Sequence, residues 1–194
     1  MTDQYKKAIR TTLKQVRANT SAQFRLVSSH QICNKIRALE SYRKAKHLAL
    51  YFAINGEVDL ALIWKTAPLH GKFCYFPVVN EDLTLSFLPA TPATAFKTNR
   101  FGILEPDVSL EEAAPPEQLD LIIMPMVGFD IQCLRLGMGS GCYDRTLENK
   151  GNVTLFGVAF QFQRIDFINP QPWDVPLDAV ITEKAIYWRN PLTL

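Results

Sequence analysis

The chain has 194 residues, of which 47% are hydrophobic and 11% aromatic, so it can bury a sizeable core and is most simply one domain spanning 1–194. Its net charge of +2 argues against a broad nucleic-acid-binding surface. No run reaches the ~18 apolar residues of a membrane span, and the N-terminal segment lacks an apolar signal core, so we expect a cytoplasmic protein. The cysteines form no C-x-x-C pair and the three histidines are widely spaced, which favours reduced thiols and no zinc site.

Two helices are predicted at the start of the chain. Residues 3 to about 19 place apolar side chains on one stripe, and residues 21–39 form a second helix to which we assign no chemistry. The first helix also carries a basic row at spacings of four, four and three, made of Lys6, Arg10, Lys14 and Arg17. Such rows are usually solvated surface, and contact with a phosphate is the alternative.

The first predicted strand leads to a candidate ligand contact. Residues 47–54 form a continuous apolar run, as expected of a strand that is covered on both faces. The run ends in a turn, Asn55-Gly56, and Glu57 follows it. A carboxylate just beyond a buried strand lies where open α/β sheets place ligand contacts, although a charge at a helix start is the simpler interpretation of Glu57.

The remaining segments predict an α/β sheet. Residues 71–89 read as a β-hairpin, and the proline-rich segment 89–116 as a long surface connection. Strands are predicted at 119–127 and 153–160, on either side of a helix at 141–150. Because strands alternate with helices and are apolar throughout, we expect a mostly parallel sheet that is covered on both faces.

A glycine-rich loop joins the strand at 119–127 to the next helix. Glycines occupy alternate positions at Gly137, Gly139 and Gly141, and a backbone of this kind can curl so that several N–H groups approach an anion. The N–H groups of the following helix start would add to the site. A plain strand-to-helix turn capped by Ser140 is the alternative, and Asp130 is expected to brace the loop rather than to react.

The residues themselves point to a family. RLGMGSGCYDRTL at 135–147, preceded by PMVGFD, resembles the signature of the 5-formyltetrahydrofolate cyclo-ligases. Further segments occur along the chain in the same order as in the family: KKAIR, NGEVD and FGILEP before this signature, and GVAF and PWDVPLDAVITE after it. The resemblance implies a three-layer α/β/α domain of the NagB/RpiA/CoA-transferase-like type. It also implies ATP- and Mg²⁺-dependent cyclisation of 5-formyltetrahydrofolate to 5,10-methenyltetrahydrofolate, with release of ADP and phosphate, through a phosphorylated formyl intermediate.

The resemblance also assigns roles to individual residues. The implied ATP-binding residues are Lys6, Arg10, Arg135, Gly137, Met138, Gly139, Ser140, Gly141, Cys142 and Tyr143. The implied folate-binding residues are Phe52, Glu57, Phe101, Met138, Gly139, Ser140, Gly141 and Cys142. The implied metal carboxylates are Asp144 and Asp178, and the implied catalytic residues are Arg135, Tyr143 and Asp144. By sequence alone, a turn aspartate is the favoured interpretation of Asp178, and Phe101 is either a stacking face or an apolar anchor that pins the loop to the core.

Two positions depart from the family pattern. Ser140 stands where the family has Gly or Lys, and Cys142 stands where it has an aromatic ring, so a stacking contact with the pterin is lost. A non-catalytic module that binds a nucleotide or an RNA phosphate on the same fold therefore stays open as the alternative. A sugar-phosphate isomerase or CoA transferase rests on fold analogy alone. We expect a monomer that acts on a small molecule, without nucleic acid or membrane.

Overall fold

The structure is a computed structural model that describes residues 3–100 and 102–190. The helices within them are α1 (Asp3–Ala18), α2 (Ala22–Ala38), α3 (Glu40–Lys44), α4 (Ala61–Thr66) and α5 (Cys142–Leu147). The strands of the main sheet are β1 (His47–Ala49), β2 (Phe73–Val79), β3 (Leu85–Ala90), β6 (Leu121–Pro125), β9 (Thr154–Val158), β10 (Ala179–Ile181) and β11 (Ile186–Trp188). Two small hairpins are formed by β4 (Phe96–Thr98) with β5 (Leu104–Pro106) and by β7 (Gly128–Phe129) with β8 (Arg135–Leu136).

The main sheet has the strand order β11-β10-β9-β6-β1-β2-β3. Its five central strands are parallel, and the two edge strands run antiparallel to their neighbours. Because β1 pairs with β2 on one side and with β6 on the other, the chain changes direction across the sheet between β1 and β6. Ligands of open α/β sheets bind beyond the carboxyl ends of strands at such a switch point.

Both faces of the sheet are covered, as predicted. Successive residues of β6 belong to opposite core clusters: Leu121 and Ile123 pack with the side chains of α2 and α4, whereas Ile122 and Met124 pack with α5. This alternation follows from the period of two along a strand. It gives the three-layer α/β/α arrangement. Among the described residues, no helix is both long enough and apolar enough to cross a membrane.

The first helix departs from the prediction in its orientation. Its bounds agree with the predicted 3–19, but Tyr5 and Val16 of the apolar stripe are exposed, whereas Lys6 and Arg17 are buried. The surface interpretation of the basic row is therefore wrong for these two residues. An amphipathic pattern alone selects an apolar face, but here backbone carbonyls accept from Arg10 and Arg17 on the basic face, while Ile9 of the apolar stripe stays half-buried.

Two other segments differ from expectation. The strand predicted at 47–54 ends at Ala49, although Leu50 and Tyr51 stay buried and the Leu50 N–H still donates to the Tyr75 carbonyl at 2.9 Å. The connection at 89–116 is not featureless, because it contains the hairpin of β4 and β5. Glu105 of β5 is buried and accepts from Asn99 Nδ2 at 2.7 Å, which fixes the hairpin.

Candidate active site

A cavity of about 200 Å³ lies beyond the carboxyl ends of β1 and β6. Segments that are distant in the sequence form its walls: the end of β1, the β2–β3 hairpin, the β4–β5 hairpin, the glycine-rich loop and the start of α5. Most of the predicted site residues line it, namely Phe52, Glu57, Arg135, Gly137, Met138, Ser140, Gly141, Cys142, Tyr143 and Asp144. Phe101 lies outside the described residues, but its neighbours Ile103 and Leu104 line the cavity.

The glycine-rich loop has the backbone that its sequence suggests. Gly139 has a backbone φ of 114° and Gly141 one of 71°, values that residues with a Cβ atom rarely adopt. Gly141 is the residue that precedes the first turn of α5, so Ser140 is not the cap of this helix. Instead, Ser140 Oγ accepts from the thiol of Cys142 at 3.2 Å. The loop is thus a tight turn that depends on glycine and opens α5, with the thiol and the hydroxyl side by side.

Two arginines hold this loop by its carbonyl groups. Arg10 Nε of α1 donates to the Gly137 carbonyl at 2.9 Å, and Arg145 Nη1 of α5 donates to the Ser140 carbonyl at 2.5 Å. Lys6 lies one turn before Arg10 on the same buried side of α1. Neither Lys6 nor Arg10 lines the cavity, but Arg10 contacts the loop that does. The sequence did not suggest a contact for Arg145, because an arginine at the end of a short helix is normally solvated.

Arg135 and Asp144 form a buried pair at the base of the loop. Arg135 Nη2 donates to Asp144 Oδ1, and Arg135 Nη1 donates to the Val175 carbonyl at 2.6 Å. The Val175 N–H donates to the same Asp144 oxygen at 3.0 Å. Burial lowers the pKa of Arg135, and the charge of Asp144 opposes this effect. The pair ties together β8, which precedes the loop, the first turn of α5 and the segment before β10.

The structure separates the two predicted metal carboxylates. Asp144 lines the cavity; its Oδ1 carries both hydrogen bonds, and among the described residues its Oδ2 has no partner. Asp178 does not line the cavity: its Oδ2 accepts from the Leu155 N–H at 2.8 Å, and its Oδ1 lies 3.7 Å from Arg189 Nη2. No group of three or more His, Cys, Asp or Glu residues within 3–100 and 102–190 could hold a metal. The donor set therefore fits an ion that takes one protein carboxylate oxygen and completes its shell with phosphate and water.

The opposite wall of the cavity is aromatic and enclosed. Phe52 stacks on Phe76 with ring centroids 4.3 Å apart and meets the edge of Phe96 at 5.1 Å. Glu57 is 8% exposed, and its Oε2 accepts from the Ile54 N–H at 3.3 Å. Burial raises the pKa of Glu57, and the nearby guanidinium of Arg17 opposes this rise. An ionisable group in an apolar wall suits recognition of a flat heterocycle that carries N–H donors.

Several residues of the site were not singled out from the sequence. Tyr51 lines the cavity beside Glu57, and its O–H donates to the Val58 carbonyl at 2.6 Å. Burial raises the pKa of Tyr51 and of Tyr143, and the charge of Glu57 adds to both effects. Arg17 was noted only as the last member of the basic row. The regular spacing of that row was the signal, since it places Arg17 on the side of α1 that carries Lys6 and Arg10.

Asp130 braces the turn between β7 and β8, which directly precedes the glycine-rich loop. It is completely buried, its Oδ1 accepts from the N–H groups of Gln132 and Leu134, and its Oδ2 accepts from Ile168. The distances are 3.0, 3.1 and 2.9 Å. Three backbone donors saturate this carboxylate, so it has no role inside the cavity.

The fold and the cavity define an α/β protein with an anion-type loop at its switch point. Residues 2–183 match the family model of the 5-formyltetrahydrofolate cyclo-ligases, and the chain belongs to this family. A 5-formyltetrahydrofolate cyclo-ligase of Haemophilus influenzae is 35% identical over 91% of this chain and 97% of its own length. One of Escherichia coli K12 is 33% identical over 74% of this chain and 81% of its own length.

Solved structures agree with the family assignment. The NMR structure of Aquifex aeolicus 5,10-methenyltetrahydrofolate synthetase superimposes with a TM-score of 0.83 at 33% identity, covering 97% of this chain and 95% of that protein. The 5,10-methenyltetrahydrofolate synthetase of Mycoplasma pneumoniae gives a TM-score of 0.74 at 28% identity, over 92% and 98% of the two chains. The similarity therefore extends over the whole α/β/α domain.

Proposed function

We propose that this protein converts 5-formyltetrahydrofolate to 5,10-methenyltetrahydrofolate, with ATP as co-substrate and Mg²⁺ as its metal, and releases ADP and phosphate. The observation that carries the proposal is the single cavity in which the glycine-rich loop and Asp144 face the aromatic wall of Phe52 and Glu57. One side of this cavity therefore suits a phosphate group, and the other side suits a flat heterocycle. The proposal includes a monomeric, cytoplasmic enzyme that requires no nucleic acid.

The chemistry explains why two sites must adjoin. A formamide oxygen is a poor leaving group, so the γ-phosphate is first transferred to it. N10 then attacks the formyl carbon, the new N10–C bond forms, the C–O bond breaks and phosphate departs with the oxygen, while N10 loses its proton. Phosphoryl transfer asks the protein mainly for positioning and charge neutralisation. The absence of a Ser-His or Cys-His pair from the cavity lining, within the described residues, is consistent with this demand.

The residues of this chain divide that work. The loop amides between Gly137 and Gly141 would bind phosphate oxygens, with Lys6 and Arg10 as the adjacent cations. Arg135 has N–H donors beyond the two that it uses, so we assign it to the transferred phosphoryl group. Tyr143 would close the wall next to the reacting formyl group. Glu57 would accept the N–H donors of the pterin, and Phe52 would pack on its ring.

Asp144 is the carboxylate that would hold magnesium, since it lines the cavity and its Oδ2 has no hydrogen-bond partner among the described residues. When bound, the ion supplies positive charge to the phosphate oxygens. Asp178 was predicted as a second ligand, but its carboxylate is bonded to Leu155 and Arg189. We therefore propose one protein carboxylate for the metal.

The test is absorbance of the methenyl chromophore with purified protein, 5-formyltetrahydrofolate, ATP and Mg²⁺. Product should require all three additions, should be lost in Asp144→Ala and should be retained in Glu148→Ala, a variant of an exposed acid just after α5. ATP binding without any product would instead support the binding module. Turnover of a sugar phosphate without ATP would support the isomerase interpretation.

A further inference from the structure

Arg17 is buried in a place where an arginine is unexpected. It lies in the last turn of α1 and is 2% exposed, although arginine is rarely buried unless it is paired. Its guanidinium donates to three separate groups: Nε to the Asn55 carbonyl at 3.1 Å, Nη1 to the Met126 carbonyl at 3.2 Å and Nη2 to Glu57 Oε1 at 3.4 Å. One side chain thus links α1 to the segments that follow β1 and β6.

Arg17 also contacts the turn that carries Glu57. Asn55 has φ of 49° and Gly56 has φ of 75°, so two successive residues adopt the left-handed region, and one of them is not glycine. Asparagine and glycine adopt this region more readily than other residues, so the sequence of the turn suits its shape, and the neighbouring contacts fix its position. Arg17 holds the Asn55 carbonyl, and a Cβ added at Gly56 would lie 3.3 Å from the Arg17 carbonyl oxygen. The end of α1 therefore packs directly against the turn and sets the direction of the next side chain.

We propose that Arg17 is a positioning residue of the cyclo-ligase site, which keeps the Glu57 carboxylate ionised and aimed at the pterin ring of the folate. The inference rests on the proposed function, because that function assigns Glu57 to the folate. The 2-amino-4-oxo ring of a pterin presents neighbouring N–H donors, and an ionised carboxylate can accept from two of them at once. A protonated Glu57 would present its own O–H to these donors and would bind the ring poorly.

The charges around Glu57 support this assignment. Among the described residues, the titratable or charged side chains that face it or share its grooves are Arg17, Arg25, His30, Tyr51, Asp59, Arg135, Cys142, Tyr143 and Asp144. Burial is the main cause that raises the pKa of Glu57, and the charge of Arg17 is the main cause that opposes it. Removal of the guanidinium should therefore raise the pKa of Glu57 further, so that the carboxylate becomes neutral at a higher pH.

The experiment compares Arg17→Met, Arg17→Lys, Glu57→Gln and Arg17→Met/Glu57→Gln in the full chain by steady-state kinetics across pH. For Arg17→Met we expect KM for the folate to rise about tenfold or more, while KM for ATP changes less than about twofold. The acidic limb of kcat/KM for the folate should shift to higher pH by about one unit. In the Glu57→Gln background, the second substitution should shift no limb and add little to KM.

Arg17→Lys keeps the charge but loses the planar fork, so we expect the acidic limb of the natural protein with an intermediate folate KM. If circular dichroism shows that Arg17→Met is unfolded, Arg17→Lys becomes the test of the proposal. A folate KM of Arg17→Lys equal to that of the natural protein would then overturn it. Equal losses for ATP and folate, or an unshifted acidic limb in a folded Arg17→Met, would also overturn it. Failure of the proposed function is a separate result, since the natural protein itself would then form no product.

Discussion

The two walls of the cavity are built on opposite principles. The loop wall consists mainly of backbone. Its glycines leave the main chain bare, Arg10 and Arg145 donate hydrogen bonds to its carbonyl groups, and its one large apolar side chain, Met138, is 46% exposed. The aromatic wall, which we assign to the folate, is made of side chains: stacked rings around Phe52, with Glu57 enclosed beside them. Backbone amides suit a phosphate, which every nucleotide shares, whereas shaped side chains suit one heterocycle. The difference indicates that ATP use and folate selectivity can be altered separately.

The largest effect should come from the acid at the junction of the two walls. Asp144→Asn removes the charge that faces Arg135, and we expect kcat to fall by about 100-fold or more. The Mg²⁺ concentration that gives half-maximal activity should rise at least about tenfold. Asp178→Asn is the matched comparison, since this residue lies outside the cavity lining. Equal shifts in Mg²⁺ requirement for both variants would contradict the separation of the two carboxylates.

An intermediate effect is expected from the loop wall. Arg10→Ala removes a cation and frees the Gly137 carbonyl, so KM for ATP should rise about tenfold while KM for the folate changes little. Lys7→Ala, an exposed cation on the same helix, is the control. Both KM values should be determined by product absorbance for each variant. A larger rise for the folate than for ATP would show that the two walls are not independent.

The smallest effect should come from the residue that departs from the family. Cys142→Phe restores an aromatic ring at the cavity lining, and a new ring contact is worth ~1 kcal/mol, which corresponds to about a fivefold lower KM for the folate. Cys142→Ser is the control of similar size, and it should leave the folate KM close to that of the natural protein. A higher folate KM for Cys142→Phe would indicate that this position contacts the ATP side instead.

The fold was largely predictable because its signals are local. Apolar runs at β6 and β9, separated by glycines and a helix, specify a parallel sheet before any long-range contact is known. The motif at 135–147 also indicated the position of the glycine-rich loop and of Asp144, both of which lie at the cavity. The strand after His47 was predicted too long because burial continues through Leu50 and Tyr51, whereas strand pairing ends at Ala49 apart from the bond of the Leu50 N–H to the Tyr75 carbonyl. An apolar run reports burial and not hydrogen bonding.

The orientation of α1 could not be predicted from its composition. Tyr5 and Val16 suggest one buried face, but the structure buries Lys6 and Arg17. The carbonyl groups that accept from Arg17, at Asn55 and Met126, belong to segments far along the chain. The environment of Asp178 is similar, since its partners Leu155 and Arg189 become neighbours only when the sheet has formed.

The bond from Arg10 to Gly137 joins positions that are 127 residues apart, and the bond from Arg17 to Met126 spans 109. Closing such long loops is costly in chain entropy and is slow in folding, so these contacts belong to the completed chain and not to an early local structure. A ligand that bridges the two walls therefore favours the folded state over the unfolded one by mass action. In a living cell, the supply of ATP and folate would then influence how long each copy of the protein survives proteolysis, in addition to how fast it works.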